Sequence, residues 1–73
     1  MFKIFKKNKE TKKSYSVIFC DTNNTDTAFG IYETYDSYEI ADHVIRMAWN
    51  KRKDQRVNDG YQIDGGWIVI KEN

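Results

Sequence analysis

Cys20 and His43 are the only thiol and the only imidazole in the chain, so a nucleophilic site would have to pair them. The reading below puts one late in a strand and the other on a helix, where His43 falls on the polar arc four residues after Glu39. An exposed contact one turn away explains that spacing without chemistry. Acid and base work would need two carboxylates, and Asp36 with Glu39 has suitable spacing, but helix capping and the helix dipole account for both. The acids between Asp21 and Asp26 lack the length and the alternating Asp spacing of a calcium loop. Gly60 and the Gly65-Gly66 pair are not followed by the Lys-Ser/Thr of a phosphate loop. One Cys and one His cannot assemble a zinc site, and a lone Cys excludes an internal disulfide. The residues therefore predict a non-enzymatic protein with no cofactor and no metal.

The elements that position these groups follow from periodicity. Residues 14 to 21 alternate Tyr15, Val17 and Phe19 with Ser14, Ser16, Ile18 and Cys20, which predicts a strand with one greasier face. The turn formers from Asp21 to Asp26 then lead into a second strand over residues 27 to 33. There Phe29 and Ile31 share one face, and Ala28, Gly30 and Tyr32 the other. A helix is predicted from Ser37 to Asp54, capped by Asp36 with Glu39 in a capping box and Tyr35 stapled on Ile40. Acids crowd its start and Lys51, Arg52 and Lys53 its end, as the dipole favours. After the stop at Asn58-Asp59-Gly60, residues 61 to 70 are extended. The Asp64-Gly65-Gly66 interruption makes either a hairpin, with Ile63 opposite Ile68, or a bulge in one strand. The expected fold is α+β, a small antiparallel sheet with one helix packed on one face, ββαββ or ββαβ.

Residues 30 to 41 (GIYETYDSYEIA), followed by Tyr61-Gln-Ile63, resemble short uncharacterised ββαβ proteins of bacteria and phages. In those a Gly-aromatic strand end also runs directly into an acidic helix start carrying an Ala. The likeness spans roughly residues 15 to 70. It lies in strand, cap and core positions, so it implies a fold and no function, and the Asp64-Gly65-Gly66 interruption departs from the usual single last strand.

At 73 residues the chain buries only about 60% of its unfolded surface. With 15% aromatic residues, a few large rings must supply much of the core. Residues 1 to 13 form a basic arm with six lysines, including Lys6, Lys7 and Lys9, and residues 14 to 73 a single domain. The arm is expected to be solvated and mobile from Lys6 onward. No apolar run is long enough to span a membrane. The amino terminus lacks a signal-peptide core, and with unpaired Cys20 this predicts a cytoplasmic protein. The absence of proline and the excess of Lys, Asn, Ile and Tyr suggest an AT-rich coding sequence.

Charge is segregated, with six acids and no Lys or Arg in residues 14 to 45, then five bases and one acid in residues 46 to 56. An antiparallel return of the helix would bring Lys51 to Lys53 near the Asp21 to Asp26 turn and the lysine arm near Asp36, Glu39 and Asp42. The apolar positions of the helix sweep about 200°, more than one sheet face needs. With Ala41 and Ala48 at the centre of that arc, Val44 is expected to pack on Val17, Phe19 and Ile31. Tyr38, Ile45 and Trp49 are then left as a stripe at its edge. That stripe is the first candidate contact surface. The second is the sheet face away from the helix, around Ile18, Cys20 and Tyr32.

The leading expectation is thus a small protein-binding domain, an accessory protein of a phage or mobile element that inhibits a host factor by covering its surface. Its predicted contacts are Tyr38, Ile45, Trp49, Tyr32 and Ile18. The runner-up is a nucleic-acid binder using Lys6, Lys7, Lys9, Lys51, Arg52 and Lys53. The third is a membrane-surface protein that inserts Phe2, Ile4 and Phe5 while the lysines meet anionic lipid. A homodimer is compatible with each.

Overall fold

The computed structural model describes residues 13–73, so the expectations for Phe2, Ile4, Phe5, Lys6, Lys7 and Lys9 lie outside the described residues. Four strands form one antiparallel sheet: β1 (Tyr15–Cys20), β2 (Ala28–Tyr35), β3 (Gly60–Ile63) and β4 (Gly66–Glu72), in the spatial order β2-β1-β4-β3. One helix, α1 (Tyr38–Trp49), crosses a single face of this sheet. The fold is the expected small α+β architecture in its ββαββ form.

The central pair joins the strands most distant in sequence, from Tyr15 beside Glu72 to Cys20 beside Trp67. Both strands are rich in β-branched and aromatic residues, which suit a sheet centre. Toward the helix, Val17, Ile68, Ile70 and Tyr61 meet Ala41 and Ile45 in the main core, with Tyr15, Phe19 and Ile63 at its margins. A second apolar cluster of Ile18, Cys20 and Val69, with Trp67 against it, occupies the opposite side. Ile18 and Cys20 are buried, contrary to the expectation that they lie uncovered. Both belong to β1, which has a neighbouring strand on either edge, and Trp67 flanks them.

The β3–β4 connection is a two-residue hairpin. Ile63 pairs with Gly66 and Tyr61 with Ile68, so the expected pairing of Ile63 with Ile68 is shifted. Gly65 turns at a φ of 86°, which favours glycine. At Gly66 a Cβ would lie 2.5 Å from the carbonyl oxygen of Cys20, so the tight turn is set by close approach to β1.

The β1–β2 register slips twice, skipping Tyr32 and Phe29 as the pairing passes from Val17 with Glu33, through Ile18 with Ile31 and Phe19 with Gly30, to Cys20 with Ala28. Such bulges add a residue to one strand and change which side chains share a face. Tyr32 is thereby brought to the helix side, 5.1 Å between ring centres from Trp49, while Ile31 neighbours Ile18. The simple alternation expected for this strand is corrected accordingly.

The helix is shorter than predicted and capped one residue later. Ser37, not Asp36, is the cap, with its hydroxyl accepting from the Ile40 N–H at 3.1 Å, and Ile40 itself is half exposed. At the other end Asn50 adopts the left-handed conformation at φ 56°, and the Lys51 N–H donates to the Arg46 carbonyl at 3.0 Å. Asparagine tolerates this conformation and ends helices in the same way as glycine. Lys53–Gln55 form a separate short 3-10 turn.

The stripe that α1 presents to the sheet differs most from expectation. Ala41 and Ile45 are fully buried and Asp42 nearly so, with Tyr38 and Trp49 packed at the core margin. Val44 is only half-buried and Ala48 exposed, and Ile31 is 70% exposed, so Val44 does not form the expected core contact. Relative to the predicted arc the helix is rolled by roughly 60°, at 100° per residue. The cause is Asp42, which apolar periodicity leaves out and the fold places inside.

Candidate protein-binding surface

Asp42 gathers three side-chain donors from separate parts of the fold. Its carboxylate accepts from the Tyr61 hydroxyl, from Arg46 Nε at 2.8 Å and from Arg56 Nη1 at 3.2 Å. Tyr61 comes from β3, Arg46 from the next turn of α1 and Arg56 from the segment after it. Burial pushes the Asp42 carboxyl up, but the hydrogen bonds from Tyr61, Arg46 and Arg56 outweigh it and hold the group below the usual carboxylate range. Burial, then the hydrogen bond to Asp42, raises the Tyr61 phenol to about 12. Beside this group the Arg56 guanidinium lies 5.4 Å from the Tyr38 ring centre, and the Tyr38 hydroxyl donates to Asp59 Oδ1 at 2.9 Å. Among the described residues every buried side-chain polar atom has a partner. The arrangement locks α1 to β3 and presents no unpaired acid or base.

The sequence contained half of this. Asp42 and Arg46 stand at the spacing of a helical ion pair. Nothing local pointed to Tyr61 or Arg56, which reach the carboxylate only through the fold. Asp42 was expected near the lysine arm, and its described partners are arginines instead.

Catalytic pairing of Cys20 with His43 is precluded by position, because Cys20 is buried on the side of the sheet away from α1 and His43 is exposed on the helix. Burial also raises the Cys20 thiol above its ordinary value. Native protein should therefore resist alkylation at neutral pH and react in denaturant. Complete labelling within the mixing time under native conditions would show that the second cluster is open. Asp36 and Glu39 are exposed, and Glu39 lies in the first turn of α1, where the helix dipole favours an acid. Among the described residues no three His, Cys, Asp or Glu side chains are grouped to hold a metal ion, and no helix is long and apolar enough to cross a membrane.

The predicted contact residues are divided by the fold. Ile45 and Ile18 are buried. Tyr38 packs edge-on against Tyr15 at 6.0 Å, and Trp49 meets Phe19 at 5.9 Å and Tyr32 at 5.1 Å. The Tyr38–Ile45–Trp49 stripe is thus the inner face of the helix and not an outer ridge. Of the five, Tyr32 remains substantially open, at 43%.

The exposed apolar surface lies elsewhere. Because Asp42 points toward β3, the helix flank on the other side of the core stripe, carrying Ala48, Val44 and Ile40, lies toward β2. Met47 extends that flank and is 63% exposed. On β2, Phe29 is 66% exposed and stacks on Phe19 at 6.4 Å. Exposed apolar side chains thus occur on both the edge strand and the helix flank, with Tyr32 on the helix side beside Trp49 and Ile31 on the opposite face beside Ile18.

No known protein family, curated protein or solved structure matches this chain. The surface must be read from its own chemistry.

The basic segment after the helix is largely engaged. Arg46 and Arg56 hold Asp42, and Arg52 pairs with Asp54 at 3.1 Å. Lys51 is half-buried in an open cleft of about 530 Å³ that also takes in Gln55, Gln62 and Trp67. Lys53 is exposed. The Asp21 to Asp26 turn is held through the Asn23 amide, which donates to the Val57 carbonyl at 3.0 Å, and not through the expected approach of Lys51 to Lys53. No described ion pair joins the two.

Proposed function

We propose that this chain is a non-enzymatic protein-binding domain that acts by covering part of a partner's surface through the β2 edge and the adjoining flank of α1. The supporting observation is the concentration of exposed apolar side chains there: Phe29, Ile31 and Tyr32 on the strand, and Ile40 and Met47 on the helix. Scattered single exposures are ordinary on a small protein, whereas several large ones on an edge strand and the neighbouring helix are typical of an interaction site. The nucleic-acid reading draws less support, because three of the five bases in residues 46 to 56 already have carboxylate partners.

The test compares wild type with Tyr32→Lys and Met47→Lys. Met47→Lys should melt within a few degrees of wild type, and Tyr32→Lys, which also loses ring contacts with Phe19 and Trp49, should melt lower but still cooperatively. Immobilised wild type should retain a protein partner from an extract of the source cells at both 50 and 200 mM salt, and both variants should lose it. Retention by the variants equal to wild type would overturn the assignment of the surface. Binding that appears only with nucleic acid and collapses across that salt range would replace it with the nucleic-acid reading.

A further inference from the structure

We infer that this surface is self-complementary and that its occupant is a second copy of the chain, with β2 pairing antiparallel to its counterpart across a two-fold axis near the middle of the strand. The inference rests on the proposed function and gives the partner an identity.

The first argument is main-chain chemistry. Among the described residues β2 is an edge strand, paired on one side by β1 and without a partner strand on the other. An open edge offers a row of N–H and C=O groups that only another strand can satisfy fully. Edges meant to stay free are guarded by charge, proline or bulges. Among its eight residues, AFGIYETY, β2 carries one charge, Glu33, and no lysine. Its two bulges, at Phe29 and Tyr32, restrict the length available for pairing without charging the edge, and the central Gly30 and Ile31 stay in register with β1.

The second argument is symmetry. A two-fold axis brings each patch against its own copy in reverse direction. The helix flanks then run antiparallel beside the paired strands, with Ile40 of one copy toward Ala48 of the other and Val44 near the axis. Reversal also sets the acidic helix start, Asp36 and Glu39, toward the basic stretch Lys51 to Lys53 that follows the other copy's helix. The parallel arrangement would set like charge against like.

The third argument is area. The exposed parts of Phe29, Ile31, Tyr32, Ile40 and Met47 supply on the order of 500 Å² of apolar surface per copy, taking large side chains at about 150–250 Å² each. With the strand edge added, this approaches the roughly 800 Å² per partner of a standard interface. A dimer of this size should form in the micromolar range and dissociate on dilution.

Sedimentation velocity on the full chain, from low micromolar to near-millimolar concentration, should show a monomer passing to a dimer. Ile31→Lys and Met47→Lys should remain monomeric throughout and keep a cooperative melt. Ile31→Cys should form an intermolecular disulfide under mild oxidation, since opposed positions of an antiparallel pair lie within disulfide reach. Ile63→Cys on the other sheet edge should not. A wild type that stays monomeric, or a dimer that persists in both lysine variants, overturns the inference. If wild type is monomeric while Tyr32→Lys and Met47→Lys still lose an extract partner, the inference falls and the proposed function stands. If wild type dimerises as described and those variants capture as wild type does, the dimer stands and the proposed heterologous contact falls.

Discussion

Truncating Ile45 to Ala is expected to lower the melting temperature by roughly 10–30 °C, whereas Val44→Ala, one residue away, should move it by only a few degrees. Ile45 is fully buried between Ala41 and the sheet residues Val17, Ile68 and Ile70. Removing its outer carbons leaves a cavity and costs about 2–5 kcal/mol. In a chain of this size that is a large share of the total, since a core below about 80 residues seldom supplies more than about 5 kcal/mol. Each kcal/mol corresponds to about 4–8 °C for such a domain. Val44 is half-buried on the flank, so truncating it removes little buried area and opens no closed cavity. Thermal melts by circular dichroism decide the matter. Equal effects at the two positions would mean that the helix is rolled differently on the sheet.

Asp42→Ala should be at least as damaging, because it removes the common acceptor of Tyr61, Arg46 and Arg56. Breaking a buried charge group by deleting one member costs about 3–5 kcal/mol, enough to abolish cooperative folding here. Tyr61→Phe is the informative control. It removes one donor while both arginines still hold the carboxylate, so about 1.5–3 kcal/mol should be lost, as for a hydrogen bond to a charged group. The pH dependence follows from the direction of the Asp42 shift. Its folded-state value lies below the ordinary 3.8, so folding binds the charged form more tightly. This stabilisation is fully present above the unfolded value and is lost as pH falls through the folded one. Urea titrations from pH 6 to pH 2 should show stability declining on the acid side, more shallowly in Tyr61→Phe. An identical acid slope in wild type and Tyr61→Phe would show that the phenol does not help to hold the carboxylate charged.

The order of elements was legible in the sequence because each has a local signature: alternation in Tyr15–Cys20, the Asp64-Gly65 turn, and the polar residues that flank the helix. The helix end was misplaced, because the run of bases after Asn50 argued for a helix to Asp54, whereas Asn50 ends it in the left-handed conformation. What periodicity could not convey was the roll of the helix and the twist of the second strand. The roll depends on Asp42 finding Tyr61 nineteen residues away, and a rule that counts apolar side chains assigns a carboxylate to the outside. The twist depends on two bulges, which arise from pairing and leave no mark in the alternation of β2 itself. Both failures moved the candidate surface. Tyr38, Ile45 and Trp49 turned inward, Tyr32 changed face, and the exposed apolar side chains are instead Ile40, Met47, Phe29 and Ile31.

The order β2-β1-β4-β3 also bears on how the chain reaches its native state. The β1–β2 and β3–β4 hairpins join neighbours in sequence, and each is able to form early, but neither is stable alone in water. What unites them is the β1–β4 ladder, in which Tyr15 meets Glu72 across nearly the whole described chain. Closing so long a loop is entropically costly before any contact repays it, which slows folding. During synthesis β1 therefore leaves the ribosome with one edge open and waits for the last strand, while β2 has no partner among the described residues on its other side. Nascent chains of this protein should be most prone to associate in the interval before β4 emerges.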